Sequence, residues 1–293
     1  VEAHFKAVTT DLPVERIFIG LDFLDFRVYR RAPAATIQYS AKSDQRSFNA
    51  ALATLLSINA LNGSVNALIA EHRPNARTLT RFGHNPLRQF VDAVAVEGHA
   101  SIARGQMQNY VAKWANGPKR MVRDDGSVSE SFAALHGILD WAEDNSVAVT
   151  LFTYPYHADM LEAIERSGLW SAFEEFKRRI VAFRDVYRAE HAEDALEIWD
   201  FNTYNRYTTE ALPAPGDRKT HMRWYWEPGH FKAALSDLML ARILDHPGDD
   251  KEFGKRLTAN HLEAALTSDR QAQRAHHSNG PVASRRTAVT VGL

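Results

Sequence analysis

"VERIFIGLDF", residues 14–23, is an apolar run of strand length that closes on Gly20-Leu21-Asp22. A strand that is apolar at successive positions must be covered on both faces, which is the situation of a strand inside a parallel sheet. Two more runs read the same way: "VAVTLFTYP" at 147–155 and "ALEIWDF" at 195–201. Helical patterns separate them. "SESFAALHGILDWAEDN" at 129–145 is a helix with Ser129 at its cap position, and two further helices are expected at about 157–167 and 169–190. Strands alternating with helices specify an α/β layered fold. The strands at about 15–20, 146–153 and 195–200 are therefore expected as parallel neighbours in one sheet.

Working outward, "VEAHFKAVTT" at 1–10 reads as a helix end, residues 28–44 are irregular, and helices are expected at about 45–72 and 86–115. Residues 47–70 carry no charge, but Asn49, Asn59, Asn62, Ser64 and Asn66 make them too polar for a membrane span, so they read as a buried helix. A long aromatic loop runs over 202–228, "DHPGDD" at 245–250 is a turn, and a last helix starts at Thr258 or Asn260. From His276 onward the pattern has no periodicity and reads as a disordered tail.

The 293 residues are 45% hydrophobic, enough for a large core. Lys and Arg number 35 against 36 Asp and Glu, a net charge of -1, which argues against nucleic acid as a partner. The basic run Lys177-Arg178-Arg179 reads as a solvated helix face. With no cysteine, disulfides, thiolate metal sites and cysteine nucleophiles are excluded.

Ligands of open parallel sheets bind outside the carboxyl ends of the strands. There the first strand places Asp22 and Asp25. The second delivers "YPYHADM", with His157 opening a helix, and the third ends in "WDFNTYN", with Asp200 and Asn202. A fourth segment, "WEPGHFKAALSDLMLARIL" at 226–244, sets Glu227 and His230 three apart on the turn before an amphipathic helix. Each residue also has a structural reading. Asp22 can bond the amides of its own loop, and His157 can pack among Tyr154 and Tyr156. Asp200 and Asn202 are turn formers, and Glu227 can sit near a helix N-terminus, where negative charge is favourable. A zinc site of His157, His230 and Asp200 has no compact ligand spacing behind it, so no metal is expected, nor any cofactor. No serine stands in a nucleophile elbow, and Ser64 in the glycine-containing "NGSVN" lies mid-helix by periodicity, a poor place for a nucleophile.

The acid-x-x-His before a last helix, on a sheet whose first strand ends in Gly-x-Asp, resembles the SGNH (GDSL-like) hydrolase superfamily. As a set, "RIFIGLDFLDF", "LFTYPYHADMLEAI", "LWSAFEEFKRRIV", "IWDFNTYNRYTTE" and "MRWYWEPGHFKAALSDLMLARIL" are similar to bacterial membrane-anchored SGNH-like proteins of uncertain function. That resemblance implies a three-layer doubly wound parallel sheet of flavodoxin-like form over 1–275, with a helical insertion at about 45–115 and a tail at 276–293. It implies His230 as general base and Glu227, in place of the usual aspartate, as its partner. Asp22, His157, Asp200 and Asn202 become binding residues. The family's serine lies on a first strand ending Gly-Ser-Ser, expected ahead of residue 1, and "GLDF" stands where a Gly-x-Asn-Asp block is usual.

The implied function is ester hydrolysis or acyl transfer, with carbohydrate O-acyl esters as a substrate class and "HMRWYWEPGH" at 221–230 as a sugar platform. The alternative is a non-catalytic cell-envelope binding or assembly module on the same fold. The resemblance points to the periplasmic side of the membrane, with membrane contact only through a segment outside this chain. An open sheet edge would favour self-association.

Overall fold

The computed structural model describes residues 14–29, 87–191, 196–246 and 250–279. The expected helix end at 1–10, the helix at 45–72 with Ser64, and the tail beyond 279 lie outside the described residues. In chain order the elements are β1 (Arg16–Leu21), a 3-10 turn (Phe23–Phe26), α1 (Arg88–Glu97), α2 (His99–Ala115), α3 (Glu130–Asp144), β2 (Ala148–Thr153), α4 (Ala158–Arg166) and α5 (Trp170–His191). There follow β3 (Glu197–Asp200), β4 (Tyr225–Glu227), β5 (His230–Phe231), α6 (Ala233–Ile243), β6 (Lys255–Arg256) and α7 (Ala259–Asn279). The chain divides into two compact units, one of Val1–Ala32, Ala103–Leu212 and Met222–Leu293, the other of Pro33–Ile102 and Pro213–His221.

In the first unit β1, β2 and β3 are adjacent and parallel, as their apolar runs require. The sheet has one strand the sequence did not announce. β6 pairs antiparallel with β3, setting Arg256 opposite Trp199 and Lys255 opposite Asp200. Two exposed basic residues do not read as a strand, yet charged side chains on an edge are what discourages further pairing.

Alternation along the strands sorts side chains to two faces. Ile17, Ile19, Leu21, Val149, Leu151 and Ile198 join the core formed with α3, α4, α5 and α7. Phe18, Phe152 and Trp199 turn the other way, to Tyr225 and to Leu235 and Met239 of α6. Helices thus cover both faces. Phe23 meets Phe173 edge-on at 5.4 Å, anchoring the 3-10 turn on α5. Gly20 is set by space: a Cβ there would stand 2.6 Å from the Tyr154 ring. Ser129 does precede α3, but its buried hydroxyl makes no capping bond.

The expected helix over 86–115 divides into α1 and α2 at Gly98, a residue of the second unit, and α2 from Ala103 onward belongs to the first. The Gly98 φ of 79° lies in the left-handed region, and a Cβ would lie 2.5 Å from the Asp217 carbonyl oxygen.

Lys177 overturns the reading of its basic run. It is fully buried, donating from Nζ to Asp200 at 2.7 Å, to Asp269 at 2.8 Å and to the Asn202 carbonyl at 3.0 Å. Only Arg178 and Arg179 are surface residues, paired with Glu263 at 2.6 Å and Glu175 at 2.8 Å. Burial alone would lower the Lys177 pKa, but the charges and hydrogen bonds of Asp200 and Asp269 outweigh it and raise the value above that of an ordinary lysine. Helix α7 runs on to Asn279, past the expected limit at 275, because His276 packs on Tyr204 at 5.3 Å and His277 lies 3.7 Å from Glu165. Lys177→Met leaves two buried carboxylates without their cation and should cost about 3–5 kcal/mol of stability in urea denaturation. A loss below about 1 kcal/mol would show that the three charges do not hold the fold.

Candidate functional site

The register makes the carboxyl ends of the three parallel strands level, since Leu21 pairs with Thr153 and Thr153 with Asp200. Side chains just beyond those residues share one edge. Asp22 accepts the Leu24 amide at 2.8 Å on Oδ1, which also receives the Tyr156 hydroxyl, so it caps the 3-10 turn and ties β1 to the loop after β2.

His157 is 3% exposed and caps α4. Its Nδ1 accepts the Asp159 amide at 3.2 Å, and its Nε2, hence the protonated nitrogen, donates to the Glu210 carbonyl at 2.7 Å. Asp200 is held by Lys177 on one oxygen. The other accepts Thr153 Oγ1 at 2.6 Å and the Asn202 amide at 3.1 Å. Asn202 is buried, with its side-chain oxygen unpartnered. The polar atoms of His157 and Asp200 are thus spent on holding the edge together, and the three-residue zinc arrangement with His230 has no open donors on those two.

Glu227 and His230 do not open a helix. They face each other across the β4–β5 hairpin, with Pro228-Gly229 as its turn, and α6 starts only at Ala233. Their three-residue spacing is the reach of a tight turn, not of a helical face. The hairpin is docked on the strand edge: the Pro228 carbonyl accepts the His157 amide at 3.1 Å, and Tyr225 Oη donates to the Pro155 carbonyl at 2.7 Å. Phe231 meets Tyr154 at 5.7 Å. Glu210 orders the approach by accepting the Arg223 and Trp224 amides at 2.5 and 2.9 Å.

The Glu227 carboxylate is completely buried, accepting the Gly229 amide at 3.0 Å on Oε2 and His230 Nδ1 on Oε1. A carboxylate can only accept, so Nδ1 carries the proton and in the neutral ring Nε2 carries the lone pair. Nearly half of the His230 side chain, 48%, reaches solvent. The hydrogen bond to Glu227 raises the His230 pKa above its ordinary 6.5; burial opposes this, and the Glu227 and Asp22 charges add to it.

Two tyrosines complete the neighbourhood. Tyr110 Oη lies 3.2 Å from where a Cβ on Gly229 would stand, and burial, with the Glu227 and Asp22 charges, pushes its pKa up to about 12. Tyr156 is buried and raised too, by burial and by Asp22. Tyr156 was visible as part of the segment after the second strand. Tyr110 lies in mid-helix, where nothing local marks it. Within the aromatic loop, Tyr225 is buried and Trp224 packs on Tyr207 at 5.3 Å, so these rings serve the core. Trp226, partly exposed, lies 4.3 Å from the Lys232 ammonium.

Cavities of about 300 Å³ beside Leu139 and Val147, about 390 Å³ beside Trp199 and Arg242, and about 160 Å³ beside Arg184 and Leu196 are not lined by Glu227 or His230. The hairpin is selected by its chemistry rather than by concavity. No helix among the described residues is long and apolar enough to cross a membrane. No protein-family model, curated protein or solved structure gives a significant match to the chain.

Because the folded pKa of His230 is raised, the ion pair contributes to stability fully below the unfolded histidine pKa, and that contribution fades as pH rises through the folded value. The basic, neutral ring accumulates only above it. NMR titration of the His230 ring should give a midpoint above 6.5. Glu227→Gln should lower that midpoint, since it removes the charge and keeps the burial. An unchanged midpoint in the variant would dissociate the two residues.

Proposed function

We propose that Glu227 and His230 are the base half of an ester-cleaving or acyl-transferring site of the SGNH type, on a three-layer doubly wound sheet of flavodoxin-like form. The observation that carries this reading is a buried carboxylate bonded to the inner nitrogen of a half-exposed imidazole at the carboxyl edge of a parallel sheet. Such a pair fixes the tautomer and stabilises the imidazolium that forms when the base takes a proton. In the reaction, a serine oxygen attacks the ester carbonyl carbon, its proton passes to His230 Nε2, and the ring returns that proton to the departing alkoxide. The resulting acyl-serine is then resolved by water or by a sugar hydroxyl. Tyr110, a neutral phenol at working pH, is a donor for the developing oxyanion. Asp22 acts through its charge on His230 and through Tyr156, while His157, Asp200 and Asn202 hold the edge. The serine has no counterpart in this sequence, and the reading requires it from a segment outside these residues.

The second reading is a non-catalytic cell-envelope binding or assembly module on the same fold. Acetyl release from p-nitrophenyl acetate and from acetylated oligosaccharides by the full encoded polypeptide separates the two. His230→Ala should lower kcat/KM by about 10²–10⁴ with unchanged circular dichroism, and Glu227→Gln should lower it less. A protein that retains acetylated oligosaccharide without turning it over, equally in both variants, would establish the binding module instead.

A further inference from the structure

At the opposite end of the sheet from the hairpin, α3 and α5 run out toward the amino ends of β2 and β3 and bring two histidines and an aspartate together. His136 and Asp140 are one turn apart on α3, and His191 closes α5. One ligand atom from each lies within 4.8 Å of the others, the only such group among the described residues. We propose that His136, Asp140 and His191 form a binding site for a divalent transition metal of the zinc type, with solvent in the fourth position.

Four features support a built site. The imidazoles are oriented by aromatic packing: Tyr187 stacks on His191 at 4.1 Å and meets His136 edge-on at 5.6 Å. His191 Nδ1 is 2.5 Å from Glu143, the carboxylate–imidazole arrangement that directs the other ring nitrogen to a metal. His136 Nδ1 donates to Asp140 Oδ2 at 3.0 Å, so the two atoms already stand within ligand separation of each other, and a cation takes the place of the shared proton. Finally, Asp140 Oδ1 is shielded from solvent and has no hydrogen-bond partner, a shortfall that a cation bound to this carboxylate would remove. Two nitrogens and one oxygen suit zinc, cobalt, nickel or copper rather than calcium or magnesium, which prefer oxygen. The chain has no thiolate to compete for the ion. A metal here would staple the carboxyl half of α3 to the last turn of α5, the two helices that feed the central strands.

The test uses the whole chain, stripped with a chelator and titrated with Co²⁺ and then Zn²⁺. One equivalent should bind with tetrahedral ligand-field bands, Zn²⁺ should displace Co²⁺, and the melting temperature should rise. The partly exposed side chains permit substitution without unfolding, which circular dichroism checks. His136→Gln and His191→Gln should each weaken binding at least about tenfold, and Asp140→Asn should also weaken it. His261→Gln, outside the cluster, should leave it unchanged. Lowering the pH to about 5.5 should release the ion, since protonated imidazoles cannot ligate. Absence of saturable one-to-one binding, or undiminished affinity in the His136→Gln, His191→Gln double variant, would overturn the proposal.

Discussion

The buried ammonium of Lys177 is the constraint on which the rest of the sheet depends. It joins the end of β3 through Asp200, the following loop through the Asn202 carbonyl, and α7 through Asp269, while its own backbone belongs to α5. Removing a charge from water is costly unless its partners are close and its donors satisfied. Here three donors meet three acceptors, so the carboxyl end of β3 can take only one position. The neighbouring strand inherits it, because Thr153 Oγ1 donates to the same Asp200 and accepts the amides of Phe201 and Asn202.

That rigid edge is what makes the Glu227–His230 hairpin a defined chemical group. The hairpin is only five strand residues and a turn, too little to be stable alone. It is held by bonds to Pro155 and His157, which stand just past the end of β2. His157 contributes as a strut with its backbone amide and both ring nitrogens engaged, and Glu210 braces the incoming loop. A buried carboxylate is tolerated because the Gly229 amide and the imidazole both donate to it. The polar residues at the strand ends therefore divide into those that build the edge and the pair that the edge presents.

The two ends of the sheet differ in kind. At the carboxyl edge, carboxylates and phenols are mostly buried and bonded inward. At the amino edge, the histidines of α3 and α5 remain partly open to solvent, His191 stacked on Tyr187 and His136 edge-on to it. Helix α5 thus carries separate chemistry to each end, Lys177 at the carboxyl end of β3 and His191 at the amino edge.

Read alone, the sequence determined the α/β class, the three parallel strands and the candidate pair. Each rests on a local signal: uninterrupted apolar runs such as "RIFIGL" and "AVTLFT", and an acid and a histidine around Pro-Gly. Other features were decided only in three dimensions. Lys177 reads as a surface lysine because helical position does not reveal that Asp200 and Asp269, 23 and 92 residues away, close around it. The β6 edge, the break at Gly98 against Asp217, Tyr110 beside Gly229, and His191 meeting His136 follow the same rule. Each depends on a partner far along the chain, and periodicity reports which face a residue occupies, never what that face will meet.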